Sequence, residues 1–161
     1  MAHIASLGLG NWGTAVARMW LLDGRKVKGW TIEQEVYESI TMDGINKKYL
    51  PDHSVEGLEA TMRVDEALDG VEIVVLAIPS SVILDVVDDI IPHLRPGHVL
   101  IDLAKGLAPG KRLISEAINE KLDAANKHNT LAVVTGPTIA PEAAGGAVSY
   151  THLTLPTNRE V

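Results

Sequence analysis

The sequence predicts an α/β domain, doubly wound around a mostly parallel sheet, and three observations carry that expectation. β-Branched runs alternate with helix-like segments along the chain, with no internal repeat. The strongest run, EIVVLAI at 72–78, is continuously apolar, as in a parallel strand covered on both faces. A glycine-rich stretch sits between the first strand-like run and the first helix-like one.

Residues 3–7 read as the first strand, and 14–22 as a helix stopped by Asp23-Gly24. Residues 26–30 follow as a second strand and 33–42 as a second helix. The stretch 45–59, containing NKKYLPD, is expected to be irregular because Pro51 and Gly57 interrupt it. A short third strand is placed at 61–64, with Asp65 capping a helix of one or two turns. After the fourth strand, 72–78, a helix is expected over 81–91 with Pro92 as its stop. Residues 98–103 make a fifth strand, 111–125 a helix and 131–134 a sixth strand.

Composition narrows the function classes. The 161 residues carry 14 Lys+Arg against 21 Asp+Glu, a formal net charge of −7, which disfavours nucleic acid and anionic membrane surfaces as partners. The absence of cysteine excludes a disulfide scaffold, a thiolate nucleophile and a Cys-ligated metal. The six histidines show no metal-ligand spacing, so no metal is expected. No apolar run reaches the ~20 residues of a membrane span, and the first residues lack a signal-peptide pattern, so a cytoplasmic protein is expected.

Gly8-Leu9-Gly10-Asn11-Trp12-Gly13 is G-x-G-x-x-G between a strand and a helix. In that context Gly8 permits a tight turn, Gly10 lets backbone approach a pyrophosphate, and Gly13 permits close helix–strand packing. The fingerprint asks for an acidic residue about 20 positions on to hold the adenosine ribose. Glu33 lies there, just past the second strand; a carboxylate complementing a helix dipole is an equally good account of it. Nothing strongly basic sits beside it; the nearest bases before it lie at 25–28, Arg25 and Lys28 among them, which favours NAD over NADP.

Ligands of such Rossmann-like sheets bind beyond the carboxyl ends of the strands. Four segments fall at that edge: GLGNWG, Ile78-Pro79-Ser80-Ser81, Asp102 to Leu107, and Thr135-Gly136-Pro137-Thr138. Lys105 would set a cation beside the nicotinamide or an anionic substrate, or be a solvated loop lysine. Thr138 and the backbone at Gly136 would serve a hydroxylated substrate, or a Gly-Pro turn with a helix cap.

With those residues in view, the chain resembles the N-terminal domain of bacterial-type NAD(P)-dependent glycerol-3-phosphate dehydrogenase. The matching pieces are GLGNWGTA at 8–15, NKKYLP at 46–51, AIPSS at 77–81, AKGL at 104–107, LISEAI at 113–118 and GPTIAPE at 136–142. The resemblance implies hydride transfer between NAD(P)H and dihydroxyacetone phosphate, a small phosphorylated substrate, giving sn-glycerol 3-phosphate for phospholipid synthesis. It implies that Asn11 and Trp12 contact the cofactor phosphates and that Ala140 lines the cofactor site, with Pro79 counted beside them. Lys105 would touch cofactor and substrate, while Gly136 and Thr138 would belong to the substrate side. Ile32 stands where the family commonly has a basic residue for an adenosine phosphate, which again favours NAD. The family's proton-transferring lysine lies on a helical C-terminal domain beyond this chain, so no catalytic residue is assigned and turnover by 1–161 alone is expected to be negligible. A homodimer is compatible with the full-length parent.

Residues 1–146 are therefore read as a dinucleotide-binding domain and 147–161 as a non-native tail, since VSYTHLTLPT resembles translated sequencing adapter. The alternatives are another β-hydroxyacid-type dehydrogenase and a non-catalytic NAD-binding module.

Overall fold

A computed structural model describes residues 3–135, 144–145 and 152–154. Six parallel strands form the sheet: β1 (Ile4–Leu7), β2 (Val27–Trp30), β3 (Leu58–Thr61), β4 (Ile73–Leu76), β5 (Val99–Asp102) and β8 (Thr130–Thr135). Between β5 and β8 in the chain lies a two-stranded hairpin, β6 (Leu107–Ala108) with β7 (Arg112–Leu113). A seventh strand, β9 (His152–Thr154), joins the main sheet antiparallel to β8, giving the order β3-β2-β1-β4-β5-β8-β9. The chain thus winds outward one way from β1 through β2 and β3, then returns to β4 and winds the other way. The reversal lies between β1 and β4.

Among the described residues five α-helices cover the sheet: α1 (Asn11–Leu22), α2 (Gln34–Asp43), α3 (Val64–Leu68), α4 (Ile83–Ile90) and α5 (Ile114–Ala124). Strand alternation sorts them onto two faces. Ala5 and Leu7 of β1 and Val74 and Leu76 of β4 pack with α3, α4 and α5 through residues such as Ile83 and Ile118. Ile4 and Val75 point the other way, toward Val16 and Trp20 of α1. Val27, Val36 and Leu58 extend that second face under α1 and α2. Val74, Val75 and Leu76 are each 0% exposed, which is why EIVVLAI reads as an unbroken apolar run. Each such aliphatic contributes roughly 1.5–3 kcal/mol by leaving water.

Three elements depart from the sequence expectation. The third strand lies at Leu58–Thr61 rather than 61–64, and Asp65 sits in the first turn of α3, whose N-cap is Arg63. Pairing with β2 decides this register, because Leu58 opposite Val27 buries its side chain in the α1/α2 core. The helix expected from Lys111 begins at Ile114: Gly110 and Lys111 adopt positive φ (80° and 60°), which closes the β6–β7 hairpin first. Glu116 then accepts the Leu113 N–H at 3.1 Å and so supports the new helix start. Pro92 lies within a short 3₁₀ turn, Ile91–His93, that follows α4.

Candidate dinucleotide crevice

Register places the crevice. Leu7 is level with Trp30 of β2 and Leu76 of β4, and Leu76 with Asp102 of β5. The chain therefore leaves all four strands at one edge, beside the β1/β4 reversal. A cavity of about 760 Å³ opens there, lined by Gly8–Trp12, Trp30–Glu33, Tyr49, Ala77–Ser80 and Leu103–Lys105, among others.

At its centre the glycine loop has the steric form its sequence requires. Gly8 has φ +93°, and a Cβ on it would lie 2.5 Å from the Ala77 carbonyl oxygen. A Cβ on Gly13 would lie 1.8 Å from the Gly8 oxygen, so only glycine lets α1 start this close to β1. Buried Ser6 reinforces that approach by donating to the Gly13 carbonyl at 3.1 Å. Gly10 differs, for a Cβ there would meet nothing within 4 Å. It is the N-cap of α1 and no side chain caps the helix; the first intrahelical bond runs from the Thr14 N–H to the Gly10 oxygen, at 3.0 Å. The N–H groups of Asn11, Trp12 and Gly13 thus precede the helical ladder, and Gly10, Asn11 and Trp12 line the cavity, the arrangement that receives an anion. A pyrophosphate fits this cradle.

The opposite rim holds a cation. Lys105 Nζ lies 5.8 Å from the centre of the Trp12 ring, so the loop after β5 and the start of α1 meet across the crevice. Asp102 anchors the lysine's loop: it is 1% exposed and accepts the Ala104 N–H at 2.8 Å. Burial pushes its carboxyl above the usual aspartate range, opposed by that N–H. Pro79 lines the crevice at the end of the β4 segment. Gly136, Thr138 and Ala140 lie outside the described residues.

Glu33 lies at the far end of the crevice, past β2, and it is not alone. Lys48 Nζ bonds both Glu33 and Glu35, and the Tyr49 hydroxyl donates to Glu33 at 2.9 Å. Lys48, then Tyr49, hold the Glu33 carboxyl below its usual range, so it is ionised at neutral pH. The same contacts raise the Lys48 and Tyr49 values. Two bases that precede Glu33 are turned elsewhere: Arg25 pairs with Asp23, and Lys28 donates to the Glu66 and Asp69 carbonyls.

Sequence reasoning quoted NKKYLP at 46–51 as a family motif but gave Asn46, Lys48 and Tyr49 no role in the site. Asn46 is 0% exposed and donates to the Leu9 carbonyl and the Thr14 hydroxyl, both at 2.9 Å, while its own oxygen accepts the Tyr49 N–H. The irregular stretch is thereby fastened to the glycine loop. The available signal was a buried-type Asn followed by Lys-Lys-Tyr in a segment otherwise broken by proline.

The family model described as NAD-dependent glycerol-3-phosphate dehydrogenase N-terminus matches residues 3–160. The chain belongs to this family. It is 36% identical over 143 residues to glycerol-3-phosphate dehydrogenase [NAD(P)+] of Listeria monocytogenes, covering 88% of this chain and 42% of that protein. It is 35% identical over 157 residues to the Nocardia farcinica enzyme, covering 94% and 46%. The crystal structure of glycerol-3-phosphate dehydrogenase from Coxiella burnetii superposes with a TM-score of 0.86 at 31% identity, over 94% of this chain and 46% of that one. The chain thus spans less than half the length of these glycerol-3-phosphate dehydrogenases and corresponds to their N-terminal, NAD-binding part. Among the described residues no helix is long and apolar enough to cross a membrane.

Proposed function

We propose that this chain is the cofactor-holding half of an enzyme that exchanges hydride between NAD(P)H and dihydroxyacetone phosphate, yielding sn-glycerol 3-phosphate. The observation that carries this reading is the glycine cradle opening at the β1/β4 reversal, with Lys105 set against Trp12 across it. In this reading the Asn11–Gly13 amides and the start of α1 hold the pyrophosphate, Glu33 takes the adenosine ribose, and Pro79 and Lys105 flank the nicotinamide end. The bound nicotinamide supplies or accepts the hydride. Lys105 contributes a positive charge where the substrate carbonyl or phosphate would carry negative charge, and Trp12 helps to keep it there. Gly136, Thr138 and Ala140 are proposed partners of substrate and cofactor on the strength of the family pattern. A proton donor and most of the phosphate site are assigned to a helical second domain.

An ionised Glu33 beside exposed Ile32 supports a preference for NAD(H). A cytoplasmic location and a homodimeric full-length parent accompany the proposal. Residues 1–146 are proposed as the dinucleotide-binding unit. The segment 147–161 is proposed as foreign sequence on its likeness to translated adapter; a genomic reading frame encoding VSYTHLTLPT would refute this.

Trp12 and Trp30 line the crevice, so NADH bound to the 161-residue chain is expected to quench tryptophan emission saturably. Hydride transfer to dihydroxyacetone phosphate by the same preparation is expected to be negligible. Tryptophan emission unchanged up to millimolar NADH would overturn the binding assignment, and enzyme-like turnover would overturn the need for a second domain.

A further inference from the structure

We propose that Arg18 is a positioning residue for the crevice: it fastens the wall against which Trp12 packs, and through that ring it fixes where Lys105 stands. The proposal rests on the dinucleotide reading above and deepens it. Arg18 is not among the residues that line the cavity. Its guanidinium instead joins two segments far from it in sequence. Arg18 Nε donates to the Ser54 carbonyl at 3.1 Å, and Nη1 donates to the Ala144 carbonyl, 36 and 126 residues further on. A planar guanidinium presents its donors in a rigid fork, so one side chain holds the two carbonyls in a set relation to α1.

Those two segments supply the wall. Trp12, Ala15 and Arg18 follow at three-residue steps along α1, so they ascend one flank of it. Leu50, from the same irregular stretch as Ser54, packs there with Ala15 and Ala144, and Trp12 packs against that cluster. Ala15 and Ala144 are 0% exposed and Leu50 is 3% exposed. Leu50 is also held from its own stretch, its N–H donating to the Asn46 carbonyl at 2.8 Å. The Trp12 ring carries the arrangement on, because Lys105 Nζ lies 5.8 Å from its centre. A cation–π contact holds a lysine only as firmly as the ring itself is held. Without the Arg18 fork the Ser54 and Ala144 carbonyls lose that donor and the wall loosens. Trp12 then gains freedom, and Lys105 must be ordered as the dinucleotide binds, which weakens binding.

The experiment is calorimetric titration of NADH into the 161-residue chain, Arg18→Met, Lys105→Met and the two combined. Arg25→Met serves as a control that removes the same charge elsewhere. Circular dichroism melts confirm that each folds, and Arg18→Lys, which keeps the charge and can reach one carbonyl, replaces Arg18→Met throughout should the latter not fold. Arg18→Met and Lys105→Met are each expected to weaken NADH binding about fivefold. Arg25→Met should weaken it by less than about twofold, since an exposed distant charge is screened. The combined variant should bind no more than about twofold more weakly than the weaker single one, whereas independent losses would multiply. Acrylamide quenching of tryptophan emission should rise in Arg18→Met and not in Arg25→Met. Parent-like affinity in Arg18→Met or in Lys105→Met, an equal loss in Arg25→Met, losses that multiply, or unchanged acrylamide quenching each overturns the positioning role while leaving dinucleotide binding intact. Failure of the parent to bind NADH overturns the underlying reading, and this inference with it.

Discussion

The two ends of the parallel sheet treat polar groups in opposite ways. At the end where the strands start, buried polar groups other than the unpartnered Asn129 Oδ1 are spent on closing loops. His98 is 2% exposed, and its Nδ1 accepts the Arg95 N–H at 3.2 Å. Asn129 donates to the Arg95 and His98 carbonyls at 2.7 and 2.9 Å, Arg95 reaches the Val71 carbonyl, and Lys127 the Leu94 carbonyl. At the end where the strands finish, Asn11 and Trp12 of the first helical turn line a cavity together with the ionisable side chains of Glu33, Tyr49 and Lys105. One sheet thus supports a stapled end and a receptive end. The difference lies in whether a loop's hydrogen-bonding groups find partners within the fold or are held ready for a ligand.

The largest expected effect sharpens the receptive end. Gly13→Ala drives a Cβ into the Gly8 carbonyl and should cost about 3 kcal/mol, the upper range for overpacking. That corresponds to a fall in Tm of about 10 °C for a chain of this size, with loss of NADH quenching. A melt within a degree or two of the parent would show that the loop can yield.

Asp102 gives the next effect. Asp102→Ala leaves the Ala104 N–H without its acceptor and should cost about 2 kcal/mol by denaturant titration near pH 5. Asp102→Asn keeps an acceptor and should cost less. Because the folded-state value of Asp102 is raised, the folded chain holds the proton more tightly than the unfolded chain. Its stabilising contribution is therefore full below the unfolded aspartate value and is lost as pH rises through the folded one. The Asn variant should close on, or overtake, the parent as pH approaches neutrality. A gap independent of pH would contradict the burial argument.

The stapled end should respond in the opposite direction. Burial, then the Arg95 charge, depress the His98 value, so the unfolded chain takes up the proton first as pH falls. That contribution is full above the ordinary imidazole value and is lost as pH falls through it toward the depressed folded value. Comparing the parent with His98→Gln by denaturant titration between pH 7.5 and about 5 should show the parent's relative stability dropping toward acid. A flat difference would remove the contrast between the two ends.

The smallest effect is on stability at Lys48. Its ion pairs are solvent-exposed, so Lys48→Met should leave the denaturation midpoint nearly unchanged. A larger loss would make the Glu33 cluster a structural staple like those at the other end.

Local chemistry made much of the fold legible. Strand runs such as 72–78, the breaks at Gly24 and Pro79, and G-x-G-x-x-G report on backbone sterics and burial within a few residues. They placed five of the six parallel strands, the doubly wound class and the glycine loop at the end of β1. The third strand was displaced because its own residues, LEAT against MRV, are weakly patterned, and pairing with β2 chose between them. The β6–β7 hairpin escaped because it needs two consecutive positive-φ residues, one of them Lys111, which carries no such signal.

The site divides along the same line. Gly8, Gly10, Asn11, Trp12, Glu33, Pro79 and Lys105 line one cavity, and Gly13 packs against the Gly8 carbonyl behind it. The sequence alone determined the doubly wound class, the glycine loop and the family, since each depends on short-range sterics or contiguous motifs. Only the tertiary structure decided that Lys48 and Tyr49 close on Glu33 and that Asn46 clasps the Leu9 carbonyl 37 residues away. Those contacts depend on the path of an irregular segment, and that path is set by where its few buried groups find partners in the assembled fold.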